Sequence, residues 1–355
     1  MENKITKNNF LQATKDILEK NLKILEKPFC EKKVVLVYDE ESRLSKILWE
    51  AYAENLNSPS LQRRGLGGGN TEVIIFWGIE NSILKEKIMR LEADCTVILV
   101  QSTNFRLDDF RLRLNLKNQW VWCIEHNHLW YIKDEEIETY ADSLEYRTPF
   151  YLDLWNKLKC KFDNSDKLEI FSKDWNKLEI NWWFEDWKLN TWDYWTKIRA
   201  WSFPIWEFFT ESKDFSKVNW KLSIRAFPNM QFEVIKWEIF TIEIKESMII
   251  NYSENTPKEF IELVEKIKYS EDWECFVREL WFGLNPWITW EKTLNDVNAC
   301  ERIMWFHMSM WKKHQIYRKK IHRKIMQRFH IDIFSDIDYI LLDWEKIFEN
   351  EKFII

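Results

Sequence analysis

Two glutamates, two histidines and an aspartate are the residues of this chain that could do chemistry together. Glu207 lies in SFPIWEFFTES and Glu279 in FVRELWFGLNP, each among apolar neighbours. His307 sits inside a further apolar run, and His330 and Asp332 form a His-x-Asp pair. Carboxylate oxygens combined with imidazole nitrogens suit one or two borderline divalent cations such as zinc. A carboxylate held among apolar side chains is costly without a positive partner, so Glu279 points to a bound cation. Residues two apart on a strand share a face, so His330 and Asp332 can reach one point.

The elements that must position these residues change character along the chain. Residues 5–26 read as an amphipathic helix. Short β-branched runs follow at 33–39, 72–76, 96–100 and 120–125, with helical patterns at 41–56, 82–93 and 108–117. Buried strands of this length separated by helices predict a parallel α/β sheet with flanking helices. The glycine-rich loop SPSLQRRGLGGGN (58–70) lacks the Lys-Ser/Thr ending of a phosphate loop and reads as a surface loop. His126 and His128, in EHNHL, fall at a strand's C-terminal end, where α/β ligand sites form. With no third ligand nearby, they read as cleft-lining or structural. Residues 133–160 look helical. From about 165, short apolar pieces alternate with turns, as antiparallel β-structure does, interrupted by a helix at 257–268. The expected organisation is an α/β domain over 1–150 and a mainly β domain over 151–355 that carries the ligand set.

Composition narrows the classes. A chain of 355 residues, 46% hydrophobic and 31% charged, is globular and long enough for two domains. A net charge of −6 argues against a general nucleic-acid binder. The opening MENKITKNNF lacks a signal peptide's apolar core, and no apolar run reaches the ~20 residues of a membrane span. Six widely spaced cysteines without a C-x-x-C pair read as reduced thiols. Together these predict a cytoplasmic protein without membrane contact.

One count is abnormal: 23 tryptophans against 6 glycines, where glycine ordinarily makes up about 7% of a chain. Trp175, Trp187, Trp192, Trp220, Trp273 and Trp344 each follow Asp, Asn or Thr in turn-like contexts such as KDWNK and LDWEK. Asp-Gly and Asn-Gly are the dipeptides that such turns use, because glycine tolerates positive φ. The pattern predicts that most of the 23 are glycines in the living protein. The gene would come from a lineage that reads UGA as glycine, with UGA rendered here as tryptophan.

FPIWEFFTES, RELWFGLNP, FHMSMW and FHID occur in the order of four segments of the aminopeptidase T family of thermophilic metallo-aminopeptidases, which this chain resembles over roughly its last 200 residues. The resemblance implies an α/β domain joined to a β-rich metallopeptidase-like domain, and a homodimer. It implies that Glu207, Glu279, His307, His330 and Asp332 ligate two divalent ions, zinc foremost, with cobalt or manganese as alternatives. A family tyrosine seven residues after the first histidine falls on His314, with Tyr317 three further on, so either is the sixth ligand. Two such ions would share a water and lower its pKa toward ~7 to hydrolyse the first peptide bond of peptide substrates, with Glu207 or Glu279 as the bridging carboxylate. Trp206 and Trp311 fall where the family has small residues. Eight basic residues between His307 and His330 (Lys312, Lys313, Arg318, Lys319, Lys320, Arg323, Lys324 and Arg328) read as a solvated basic segment, or as one attracting peptide carboxylates.

Two other functions compete. Ring-cleaving dihydroxypyridine dioxygenases resemble the same scaffold and hold one ferrous ion with two histidines and an aspartate, which His307, His330 and Asp332 would satisfy. A non-catalytic binding protein on this scaffold would use the basic segment instead. The presence of both Glu207 and Glu279 favours the hydrolase.

Overall fold

A computed structural model describes residues 2–26, 32–59, 70–103, 106–107, 110–181, 184–190, 199–270, 274–310 and 330–355. His314, Tyr317, Trp182, Trp183, Trp192, Trp273, Trp311 and the basic segment lie outside them. The chain divides into two compact units. The first comprises Met1–Arg147, Thr191–Ile205 and Lys292–Ala299, and the second comprises Thr148–Asn190, Trp206–Glu291 and Cys300–Ile355.

The first unit is built on a five-stranded parallel sheet. Its strands β1 (Val34–Tyr38), β2 (Thr71–Ile75), β3 (Thr96–Val100) and β4 (Trp122–His126) are joined by Ala200–Phe203 in the order Ala200–Phe203, β4, β3, β1, β2. β3 and β4 are buried at every residue, as strands covered on both faces must be. Helix α1 (Arg43–Leu56) starts on a Ser42–Ser45 capping box and buries Leu44, Leu48, Ala51, Tyr52 and Leu56, one apolar stripe at helical spacing. Ala200–Phe203 joins the sheet from a position far along the chain, which alternation of strands and helices does not predict.

The second unit is antiparallel. Its eight-stranded sheet runs Met248–Tyr252, Val234–Lys245, Trp220–Pro228, β8 (Ile331–Ser335), β7 (Phe306–Met310), β6 (Val277–Gly283), β5 (Glu207–Glu211), Lys188–Asn190. A five-stranded antiparallel sheet holds Lys352–Phe353, Glu345–Glu349, Tyr339–Leu342, Lys167–Phe171 and Lys177–Asn181. The α/β-plus-β composition agrees with the sequence pattern. No helix among the described residues is long and apolar enough to cross a membrane.

Among the described residues, four tryptophans stand at positive φ: Trp120 (62°), Trp175 (65°), Trp206 (93°) and Trp344 (75°). Asp343 and Trp344 (46° and 75°) form the two-residue turn between Tyr339–Leu342 and Glu345–Glu349, the left-handed pair that Asp-Gly supplies. Trp120 follows the helix Leu112–Asn118, with its N–H bonded to Lys117 O and that of Val121 to Leu116 O. That is the position where helices end on glycine. Trp187, by contrast, is buried against Phe162 and Phe208, and Trp220 opens a strand.

An indole in left-handed backbone costs roughly 1–3 kcal/mol. Trp175→Gly and Trp344→Gly, at exposed positions, should therefore each raise the unfolding free energy by about 1 kcal/mol, measured by urea denaturation. Mass spectrometry of the protein from its native source should show glycine at both positions. Intact indoles there would refute the decoding.

Candidate metal centre

Register in the second unit explains how residues distant in sequence meet. β5 pairs antiparallel with β6, placing Glu207 opposite Gly283, Phe209 opposite Trp281 and Glu211 opposite Glu279. β6 places Glu279 opposite Ser309 and Trp281 opposite His307 on β7. β7 in turn places His307 opposite Phe334 and Ser309 opposite Asp332 on β8. With a side-chain period of two, all these residues share one face. Gly283 is required there, since a Cβ would lie 1.9 Å from the Ile303 carbonyl oxygen.

Imidazole nitrogens converge on Asp332. His307 Nε2 lies 4.0 Å from its Oδ1, and His330 Nδ1 lies 3.4 Å from its Oδ2. Ser309 Oγ donates to Asp332 Oδ1, and Glu301 is hydrogen-bonded to the same carboxylate. Glu301, His307 and Asp332 each offer a ligand atom within 4.8 Å of the others. His330 Nε2 contacts Glu279 Oε2 at 3.2 Å, and Trp281 Nε1 donates to that same oxygen at 3.2 Å. Arg302 is paired with Glu207 Oε2 and with Glu301, while Asn190 donates to Glu207 Oε1 at 2.7 Å.

The electrostatics favour a cation. Glu207, Glu211, Glu279 and Asp332 are at most 5% exposed, and burying that much negative charge is expensive. Among the described residues, Arg302 pairs with Glu207, and His330 lies against Glu279 and Asp332. Burial drives the His307 imidazole down to about 3, so it is neutral and has a lone pair to give. Both of its ring nitrogens are buried without a hydrogen-bond partner among the described residues, and a metal ion would take the lone pair of one of them. Burial alone would also lower His330, but Asp332 and Glu279 outweigh it and raise the imidazole to about 9. Burial raises Asp332, and the two histidines with the Glu301 and Ser309 hydrogen bonds pull it back below the ordinary carboxyl range. Burial lifts Glu301 well above that range against the pull of Arg302. The residues present fit a metal ion.

Of the residues singled out in the sequence, Glu279, His307, His330 and Asp332 gather at this point, and Glu207 stands on the same face in the hold of Arg302 and Asn190. Sequence reasoning missed Glu211, Glu301, Arg302 and Ser309. Glu211 carried a signal, because it stands four residues after Glu207 on a strand and so faces the same way.

The two histidines of EHNHL have protein partners of their own. His126 Nε2 and Nδ1 lie 2.9 Å from the hydroxyls of Tyr52 and Tyr140, and His128 Nδ1 is 3.1 Å from Asp296 Oδ1. Burial drives His126 down to about 3.

No protein-family model matches the chain, and no curated protein matches it in sequence. The fold is similar to the solved structure of 2,5-dihydroxypyridine dioxygenase from Pseudomonas putida KT2440, with a TM-score of 0.62 and 14% identity, over 97% of this chain and 96% of that one. This finding corrects the aminopeptidase reading. A fold shared nearly end to end with an oxidoreductase replaces the aminopeptidase T assignment, and the hydrolase and protease classes fall with it. Peptide substrates and a homodimer rested on that resemblance alone and are withdrawn. The geometry supplies the physical reason. Both carboxylate oxygens of Glu207 are engaged by Arg302 and Asn190, while both histidines approach Asp332 and His330 also contacts Glu279.

Glu207→Gln leaves Arg302 buried with one anionic partner fewer, so it should cost about 3 kcal/mol of unfolding free energy. A loss under about 0.5 kcal/mol in urea titrations would show that the pair contributes nothing net. His126 gives a pH prediction. Its pKa is near 3 when folded and 6.5 unfolded, so the unfolded chain binds the extra proton between those values. Its contribution is complete above pH 6.5 and declines as pH falls toward 3. The stability lost between about pH 7 and 5 should shrink by about 2 kcal/mol in His126→Gln. An unchanged loss would place a different group behind the acid sensitivity.

Proposed function

We propose that the protein is a metal-dependent dioxygenase that opens a dihydroxylated aromatic ring, with a single ferrous ion held by His307, His330 and Asp332. The observation that carries this reading is the approach of His307 Nε2 and His330 Nδ1 to the two oxygens of Asp332, at 4.0 and 3.4 Å. Two histidines and one carboxylate on one side of an ion, with open positions opposite, make the donor set of non-haem ferrous oxygenases. The fold shared with 2,5-dihydroxypyridine dioxygenase supports the same class and suggests a hydroxylated nitrogen heterocycle as the kind of substrate.

Bound there, ferrous iron would supply the electron-transfer chemistry that lets dioxygen add to an electron-rich ring. The chain's own residues prepare the site. Glu279 accepts from His330 Nε2, which fixes the ring and leaves Nδ1 facing Asp332. Ser309 and Glu301 hold the Asp332 carboxylate from the side. Burial keeps His307 neutral, in the form that ligates. Burial raises the Glu301 carboxyl, which favours its protonated form against the pull of Arg302, and Arg302 fixes its position. That makes Glu301 the group to hold a proton exchanged with a ring hydroxyl.

The test is oxygen uptake by protein loaded anaerobically with ferrous iron and offered 2,5-dihydroxypyridine and other dihydroxylated rings. Uptake should accompany loss of the ring's ultraviolet band. Asp332→Ala should remove at least ~99% of the rate, the scale of losing a principal electrostatic contributor. Failure of every ring tested, together with release of the first residue from unblocked peptides by the zinc-loaded protein, would overturn the proposal.

A further inference from the structure

Trp281 stands in the row of side chains between Phe209 and His307, beside the carboxylates of the candidate metal centre. Its indole lies face to face with Phe209 at 4.0 Å and 21°. On its other cross-strand side it runs parallel to the His307 imidazole at 6.1 Å and 11°. His330 meets it edge-on at 6.4 Å, and its Nε1–H donates to Glu279. A planar ring, a stacking partner and a carboxylate accepting from the ring's polar hydrogen together describe recognition of a hydroxylated aromatic or N–H heterocycle. Here a side chain of the protein itself fills that role.

The chain gives an independent reason to doubt that indole. Among the described residues, four tryptophans stand in left-handed backbone, two of them in a helix-terminating and a turn position that glycine supplies. A glycine within a strand commonly marks close approach of a ligand or of another backbone, as at Gly283 on the same face, where the Arg302–Ile303 backbone leaves no room for a Cβ.

We infer that residue 281 is glycine in the living protein, and that the slot between Phe209 and His307 is the subsite for the planar ring of the substrate. This inference rests on the ring-cleaving reading above. It makes Phe209 the stacking floor, and Glu279 the acceptor for a ring O–H or N–H.

Indole is the direct probe, because it is the group that now fills the slot. Full-length chains with Trp281, Trp281→Gly and Trp281→Ala are stripped with EDTA and checked for native circular dichroism. Binding is then followed by calorimetry and by thermal shift. Both variants should bind one indole per chain and gain Tm with it, at least about tenfold more tightly than the Trp281 chain. Adding Phe209→Ala to Trp281→Gly should cost about tenfold in affinity, one stacking contact. Equal indole affinity in all chains, or none in a folded variant, overturns the subsite. The alanine variant carries the test if the glycine variant does not fold. With ferrous iron, Trp281→Gly should lower KM for the cleaved ring at least about tenfold. Indole binding without ring cleavage would leave the subsite standing and remove the dioxygenase reading. Cleavage with the same KM in both chains would do the reverse.

Discussion

The structure of the second unit depends on how buried negative charge is balanced. Glu207, Glu211, Glu279 and Asp332 are drawn from three strands onto one face and sealed from water. Hydrophobic packing of Phe208, Phe282 and Phe306 on the opposite side of those strands holds them there. Each carboxylate must then find a positive partner inside the protein. Arg302 answers for Glu207, and His330 lies between Glu279 and Asp332. His307 has no hydrogen-bond partner among the described residues. A metal ion satisfies the last of these demands and eases the others.

Antiparallel pairing supplies the precision this needs. Because β5, β6, β7 and β8 lie side by side, one register fixes the order Phe209, Trp281, His307, Phe334 in one row and Glu211, Glu279, Ser309, Asp332 in the next. The ring-stacking row and the carboxylate row are therefore neighbours by construction. A slip of one residue would turn the whole set to the other face, so register and site stand or fall together.

Much of the fold was legible in the sequence. Four of the five parallel strands read directly as short apolar runs, the fifth, Ala200–Phe203, did not, and the helix over 41–56 read as a stripe of Leu44, Leu48, Ala51 and Tyr52. The antiparallel character of the later part was visible in its turns, although the strand order was not, because pairing depends on contacts between distant segments. The ligand candidates were legible as buried polar residues in apolar runs, and the His-x-Asp pair as a shared face. Their grouping misled where it leaned on resemblance. Glu207 reads as a ligand candidate in the sequence, where its contact with Arg302 is invisible because nothing in ERIMWFH says that Arg302 turns inward. Trp281 was hidden by the alphabet, since a large apolar residue in a strand looks like core.

The proposed site holds one ion on two histidines and one carboxylate. Anomalous diffraction from crystals of the protein purified with its native metal tests this most directly, with data collected on both sides of the iron edge. A single iron peak per chain, bonded to His307, His330 and Asp332, is expected. Two peaks a few ångströms apart, bridged by Glu207 or Glu279 and strongest at the zinc edge, would contradict it.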